Sequence, residues 1–206
     1  NVLSVNRLEV EGMGEEEQIP KVFVFDLDDC CWYPEMCYMD DGSPFSFDSE
    51  RNVCTALRGR GEEVCLHENV AEIWHVIRTD PKFAGSRIAI ASCCYEPEWA
   101  RELLSLFEAR PGNEKLRDCL AHTEIRPGNK QSHLRDIAKA LGVQLTDMVF
   151  FDDQHYNCRC AEEVGVTAIE TPSGGVTHEA FQIALETFAA RKAQAVSERT
   201  AASRAV

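Results

Sequence analysis

The chain has 206 residues, which is the length of one domain with a small insertion. Its formal net charge of −14 predicts an acidic surface. Such a surface lacks the basic patches that bind nucleic acid or anionic membranes, so we expect neither kind of partner. Because no run predicts a signal peptide or a membrane span, we expect a cytoplasmic protein.

The ten cysteines predict neither a zinc site nor a disulfide framework. Two pairs are adjacent and one pair is Cys-x-Cys, but no Cys-x-x-Cys occurs. We therefore expect reduced thiols, as is usual inside cells. The cysteines occupy positions 30, 31, 37, 54, 65, 93, 94, 119, 158 and 160.

Residues 1–19 are polar and acidic, include Glu15-Glu16-Glu17, and predict a flexible N-terminal arm. An apolar run predicts a buried strand over 21–26. Turn formers between short apolar stretches at 31–66 are typical of a small β-hairpin flap rather than a second domain.

The rest of the chain alternates between helical and strand patterns, which predicts right-handed βαβ units. We therefore expect an α/β fold, a three-layer α/β/α sandwich with a parallel Rossmann-like sheet and no large cap domain. We place the domain at 20–190, with the flap as an insertion and 191–206 as a C-terminal helical tail. The predicted elements are a helix at 68–79, a strand at 86–92, a helix at 97–109, a weaker strand at 120–125, a helix at 129–141, a strand at 147–152, a helix at 155–164, a strand at 166–169, a loop at 171–175 and a helix at 178–190.

Two of the apolar strands end abruptly in acids. One is followed by Asp26 and Asp28, and the other by Asp152 and Asp153. An acid after one strand is often only a turn former or a helix cap. Two such strands predict a carboxylate cluster, because ligands of open α/β sheets bind at the carboxyl ends of strands. Carboxylates favour a hard cation such as Mg²⁺.

These residues also carry a family resemblance, which covers roughly 20–190. Asp26-x-Asp28, a strand ending in Ser92, Lys130 and Asp152-Asp153 occur in the order of the four motifs of the haloacid dehalogenase (HAD) superfamily. The local sequence is similar to the magnesium-dependent phosphatases of that superfamily. The segments that carry this similarity are Phe25-Asp26-Leu27-Asp28, Ala91-Ser92, Glu96-Pro97-Glu98-Trp99-Ala100, Pro127-Gly128-Asn129-Lys130 and Val149-Phe150-Phe151-Asp152-Asp153 with Asn157.

The resemblance implies four catalytic residues and a covalent mechanism. Asp26 would be the nucleophile and form an aspartyl-phosphate, and Asp28 would be first a general acid and then a general base. Ser92 would hydrogen-bond a phosphoryl oxygen. Lys130 would offset negative charge and orient Asp26.

The resemblance also implies Mg²⁺ as the cofactor. Its expected ligands are Asp26, the backbone carbonyl of Asp28, and Asp152. Asp153 would hold metal-bound water or orient its neighbours, and Asn157 could do likewise.

Two residues depart from the family pattern. Cys30 stands where Thr is usual, which removes a hydroxyl contact. Cys93 follows the motif Ser where animal relatives carry Arg, and it is a candidate substrate-binding residue together with Ser92 and Lys130. The resemblance therefore does not specify the substrate.

The expected activity is hydrolysis of phosphate monoesters, of the acid phosphatase or protein-tyrosine-phosphatase-like type. An open site admits a phosphorylated small molecule or a phosphoprotein, including phosphotyrosine and fructosamine phosphates. The alternative is a non-catalytic phosphate-binding or scaffold protein that kept the fold. Asp28 argues against a dehalogenase, which has no use for an acid there. The sequence does not predict the oligomeric state.

Overall fold

The computed structural model describes residues 18–110 and 112–204. Five parallel strands form its central sheet, in the order β11-β10-β1-β6-β9, and helices cover both faces. The helices and strands, in chain order, are β1 (Val22–Phe25), β2 (Trp32–Tyr33), β3 (Phe45–Asp48), β4 (Val53–Ala56), β5 (Glu63–Leu66), α1 (Val70–Thr79), β6 (Arg87–Ser92), α2 (Pro97–Leu106), β7 (Glu108–Ala109), β8 (Glu114–Lys115), α3 (Leu116–Cys119), β9 (Leu120–Ile125), α4 (Lys130–Leu141), β10 (Met148–Asp152), α5 (His155–Glu163), β11 (Thr167–Glu170) and α6 (His178–Arg204).

The central strand β1 is buried on both faces because its residues alternate between two cores. Phe23 and Phe25 pack on one side with α1, α2 and α6. Val22 and Val24 pack on the other side with α4 and α5. Side chains alternate across a strand, so a continuous apolar run is needed where both faces are covered. The predicted three-layer α/β/α sandwich is confirmed.

Aromatic side chains fill the first of these cores directly beneath the carboxyl ends of the strands. The rings of Phe25 and Phe151 stack with centroids 4.9 Å apart, and Trp74 of α1 lies 5.4 Å from Phe25. Paired aromatic rings gain stabilisation beyond the area they bury. Asp26 and Asp152, which follow Phe25 and Phe151, are therefore supported by closely packed aromatic rings.

The predicted flap is a small antiparallel sheet of four strands, in the order β2-β5-β4-β3. The hairpins β3–β4 and β4–β5 form most of it, and Trp32 and Tyr33 add a short edge strand beside β5. No large cap is present among the residues that the structure describes, as expected.

The structure adds detail to the predicted elements. The two-stranded ribbon of β7 and β8 was not predicted, because two-residue strands leave no pattern. Helix α2 ends at Leu106, since Phe107 takes an extended conformation. The predicted helix at 178–190 continues without a break through the predicted tail. Residues 1–17 of the predicted arm lie outside the described part. No helix within that part has both the length and the apolar character needed to cross a membrane.

Asp147 joins the beginning of the sheet to the last helix. Its Oδ2 accepts a hydrogen bond from Lys21 at 3.0 Å, and its Oδ1 accepts one from Lys192 of α6 at 2.5 Å. Burial raises the pKa of Asp147, but the bonds from Lys192 and Lys21 outweigh that effect, so its pKa is lowered from 3.8.

Asp147→Asn should therefore lower the free energy of unfolding by about 1–3 kcal/mol at pH 7. A carboxyl group whose pKa is lower in the folded than in the unfolded state stabilises the fold at pH values above its unfolded pKa, near 3.8. That stability is lost as the pH falls through the folded pKa. Urea titrations from pH 7 to pH 3 should show the difference from wild type shrinking below about pH 4. Asp118→Asn is the control, because Asp118 makes only an exposed ion pair with its neighbour Arg117. An equal loss in both variants would contradict the prediction.

Candidate active site

The carboxyl ends of three neighbouring strands bring the predicted site residues together. Strand β1 lies between β10 and β6, and Phe25 is level with Phe151. The N–H of Asp26 donates to the carbonyl of Phe151 at 2.9 Å, so Asp26 and Asp152 leave adjacent strands side by side. Ser92 is the last residue of β6. Parallel pairing therefore places residues from distant parts of the sequence at one edge of the sheet.

Lys130 is a buried cation at the centre of this edge, with 1% of its side chain exposed. Its Nζ lies 2.6 Å from Oδ1 of Asp26 and 3.0 Å from Oδ2 of Asp152, and it donates to the carbonyl of Ala91 at 2.7 Å. Burial alone would lower the pKa of Lys130, but the two carboxylates raise it above its usual value. Lys130 is therefore protonated and neutralises part of the acidic site.

The position of Lys130 follows from the start of α4. The Asn129 side chain caps this helix by accepting the N–H of Ser132 at 2.8 Å. The residue after the cap is the first of the helix, and here it points its amine under the strand ends. The sequence predicted the helix start to within one residue, but it did not predict the third contact of Lys130, to the Ala91 carbonyl.

Three carboxylates form a cluster that suits a hard cation. Oxygen atoms of Asp26, Asp152 and Asp153 lie within 4.8 Å of one another. In the part of the chain that the structure describes, Oδ1 of Asp153 is buried and accepts no hydrogen bond. A buried acceptor without a donor is costly unless a ligand binds it. The donor set, all carboxylate oxygens, fits Mg²⁺.

The raised pKa values of these carboxyl groups also favour a bound cation. Burial raises the pKa of Asp26 to about 7, with Lys130 opposing this shift and Asp152 adding to it. Burial and the charge of Asp152 raise the pKa of Asp153 to about 6. Negative charge is thus crowded at this edge, and a bound cation would relieve it.

Asp152 is fixed by groups that follow it in the chain. Its Oδ1 accepts the N–H of Gln154 at 2.9 Å and the side-chain amide of Asn157 at 3.0 Å. Asn157 lies in the first turn of α5. Asn157 therefore contacts Asp152 directly. His155, the residue at the start of this helix, instead lies 2.8 Å from exposed Glu170.

Asp28 lies outside the cluster of side chains. Its Oδ1 accepts a hydrogen bond from the indole of Trp32 at 2.9 Å, and burial raises its pKa. The chain turns sharply between them, with Asp29 in the left-handed region at φ 54°. No sequence pattern predicts that Trp32 contacts Asp28, because this pairing depends on the turn. Trp32 is fully buried, so it does not line a substrate entrance.

Ser92 and the two atypical cysteines surround the cluster. The Ser92 hydroxyl is almost fully buried and accepts the N–H of Cys94 at 3.3 Å. The thiol of Cys93 is half-buried and contacts the Gly128 carbonyl at 3.5 Å, and the thiol of Cys30 contacts the Phe151 carbonyl at 3.4 Å. Burial raises the pKa of both thiols, so neither is an activated nucleophile. All ten cysteines are free.

The parallel sheet, the small flap and the acid-ended strands define a HAD-type hydrolase. The Acid Phosphatase family profile matches residues 18–191, and the chain belongs to that family. Human "Magnesium-dependent phosphatase 1" is 33% identical over 172 residues, which are 84% of this chain and 89% of the human protein. A HAD-like hydrolase superfamily protein of Schizosaccharomyces pombe is 28% identical over 77% of this chain and 89% of its own.

Solved structures agree on the fold. The N-terminal, phosphatase-containing part of a Bacteroides fragilis protein, crystallised in complex with Mg, superimposes with a TM-score of 0.56 and 21% identity. The match covers 85% of this chain and 42% of that one. A HAD-superfamily hydrolase from Ehrlichia chaffeensis gives a TM-score of 0.52 and 11% identity over 82% of this chain and 96% of its own.

Replacing Lys130 with Met should strongly destabilise the protein, because it leaves two buried carboxylates without their cation. Losing one partner of a buried ion pair costs about 3–5 kcal/mol. Urea unfolding in EDTA should show this loss, and added Mg²⁺ should recover part of it. Lys139→Met is the matched control, since Lys139 lies exposed on the same helix. Equal stability of the two variants would contradict the structural role of Lys130.

Proposed function

We propose that the chain is a Mg²⁺-dependent phosphatase that hydrolyses phosphate monoesters through an aspartyl-phosphate on Asp26. The observation that carries this proposal is the convergence of Asp26, Asp152 and Asp153 around the buried amine of Lys130. A purely structural core would not hold three carboxylates and only one cation in so small a volume. Family membership adds independent support.

We propose Asp26, Asp152, Asp153 and the backbone carbonyl of Asp28 as the residues that hold or surround Mg²⁺. The names of a human relative and of one solved structure mention magnesium, which supports the same cation here. When bound, Mg²⁺ supplies positive charge that lets an anionic nucleophile approach an anionic phosphate. Asn157 keeps Asp152 oriented through its 3.0 Å hydrogen bond.

The chain's own groups then account for both chemical steps. A carboxylate oxygen of Asp26 forms a bond to phosphorus while the ester P–O bond breaks, and Asp28 gives its proton to the leaving oxygen. In the second step Asp28 takes a proton from water, whose oxygen attacks phosphorus and restores the Asp26 carboxylate. Lys130 offsets charge throughout, and the Ser92 hydroxyl donates to a phosphoryl oxygen.

The proposed substrates are monoesters with a ring near the phosphate, such as phosphotyrosine or a sugar phosphate of the fructosamine type. Tyr95 is 78% exposed and lies three residues after β6, the strand that ends in Ser92, and Tyr38, 74% exposed, lies in the flap insertion after β2. Exposed tyrosines at a site entrance offer stacking surfaces for a ring. No large cap lies among the described residues, so the proposal also includes a side chain on a phosphoprotein. The free cysteines support a reducing, cytoplasmic location.

A non-catalytic phosphate-binding protein is the competing proposal. Cys30 and Cys93, which depart from the family pattern, are the observation in its favour. Their thiols contact the backbone carbonyls of Phe151 and Gly128, and all four reactive positions keep their groups. Catalysis is therefore the better-supported function.

Asp26→Asn should lower kcat for para-nitrophenyl phosphate by about 10³-fold or more, because an amide cannot act as the nucleophile. Wild-type turnover should require Mg²⁺ and stop in EDTA. Asp29→Asn is the matched control, since Asn tolerates the left-handed conformation of that position. Mass spectrometry of acid-quenched wild type should find a phosphoryl group on the peptide that contains Asp26. A folded wild type that binds phosphate and Mg²⁺ without turnover would favour the competing proposal.

Tyr95→Ala should lower kcat/KM about three- to tenfold for a phosphotyrosine peptide or a hexose phosphate, because the substrate ring loses a stacking partner. Glycerol phosphate, which has no ring, should be hydrolysed at the wild-type rate. Tyr156→Ala is the control, since Tyr156 is similarly exposed, at 74%, but lies on α5. A uniform loss on all three substrates would contradict a role in substrate choice.

A further inference from the structure

The amino end of the central sheet holds a cavity of about 340 Å³. Lys21 precedes β1, Asp147 precedes β10 and Thr167 begins β11, and one face of α6 closes the cavity. Because the strands are parallel, this end lies opposite the carboxylate cluster, about one strand length away. The cavity is lined by Ile19, Lys21, Thr146, Asp147, Gly165, Thr167, Phe188, Arg191, Lys192, Ala195, Val196 and Arg199.

The cavity is basic in a strongly acidic protein. Lys21, Arg191, Lys192 and Arg199 face a single acid, Asp147, whereas the whole chain carries a net charge of −14. Asp147 pairs with both lysines. Within 18–110 and 112–204, neither arginine has a carboxylate within 4 Å. Two guanidinium groups therefore remain for an anionic partner.

The basic groups lie on one face of α6, because the lining positions 188, 191, 192, 195 and 199 follow a helical spacing. Arg191 is fixed by donating to the carbonyl of Val166 at 2.9 Å, and Lys192 lies over the ring of Phe188. Arg199 is exposed and stands one turn beyond Ala195. The face combines an apolar floor with cations at its edge, which suits an acidic peptide.

The sequence itself supplies an acidic peptide close in the chain to a residue of this cavity. Glu15-Glu16-Glu17 ends two residues before Ile19, and Ile19 lines the cavity. Four residues of extended chain reach about 14 Å, which is enough to cross a cavity of this size. A tethered segment has an effective concentration of about the millimolar range, so it competes well against free anions.

We propose that Glu15-Glu16-Glu17 docks on the arginines of α6 and joins the N-terminal segment to the C-terminal helix at the end of the sheet remote from the active site. The three carboxylates complement the positive charge of the four basic side chains that Asp147 alone does not balance. The attraction is between groups near the surface, so it weakens as salt is added.

Hydrogen–deuterium exchange of the full chain tests this docking through the backbone amides of 192–204. Replacing all three acids with Gln should speed exchange there about two- to tenfold at low salt, since each lost pair weakens the local structure. The difference should vanish near 1 M NaCl, where screening acts over about 3 Å. Arg199→Gln should have a similar effect, and combining it with the triple variant should add little.

The matched control replaces three exposed acids elsewhere with the same change in net charge, namely Glu50, Glu68 and Glu162. Equal exchange in the control and in the triple variant would overturn the proposal, because the effect would then come from net charge alone. Inorganic pyrophosphate, added in EDTA, is the second arm. Under the proposal it slows exchange in the triple variant more than in wild type. If pyrophosphate slowed exchange equally in wild type and in the triple variant, the cavity would be open to external anions, and the proposed docking would be overturned.

Discussion

The site depends on the contacts of one buried cation. Lys130 holds Asp26 and Asp152 together at 2.6 and 3.0 Å and donates to the carbonyl of Ala91. Without it the two strand ends would carry adjacent buried carboxylates that repel each other. With it the edge of the sheet still has surplus negative charge, which is the condition for binding a divalent cation. One ion-pair network thus joins the stability of the sheet to the chemistry proposed at its edge.

The packing below this network fixes its geometry. Stacked Phe25 and Phe151 precede the two acids on neighbouring strands, and the small antiparallel sheet follows β1 in the chain. The proposed nucleophile and metal ligands therefore come from strand ends, and the proposed acid, Asp28, comes from the turn that follows. Trp32 holds that acid away from the cluster. The proposed nucleophile is placed rigidly at a strand end, and the proposed acid is held separately by its hydrogen bond to Trp32. This arrangement suits two carboxylates with different tasks.

The two ends of the sheet differ in charge. Acids converge at the carboxyl end, and cations of α6 collect at the amino end around Asp147. In a chain with 35 acids and 21 lysines and arginines, a basic cavity next to an acidic segment is an uneven distribution of charge. Such separation suits the cation proposed at the carboxyl end of the sheet and the acidic segment proposed at its amino end.

The sequence alone determined the layers, the strands and the identity of the acids, because buried parallel strands need continuous apolar runs and the acids end those runs. It also led to Lys130 and Asn157, through the family resemblance. Only the tertiary structure decided that Trp32 binds Asp28, that Ala91 completes the contacts of Lys130, and that Asp147 pairs with two lysines in a cavity lined by four basic side chains. Periodicity reports burial within one element, whereas these contacts join separate elements or depend on a turn, so no local pattern encodes them.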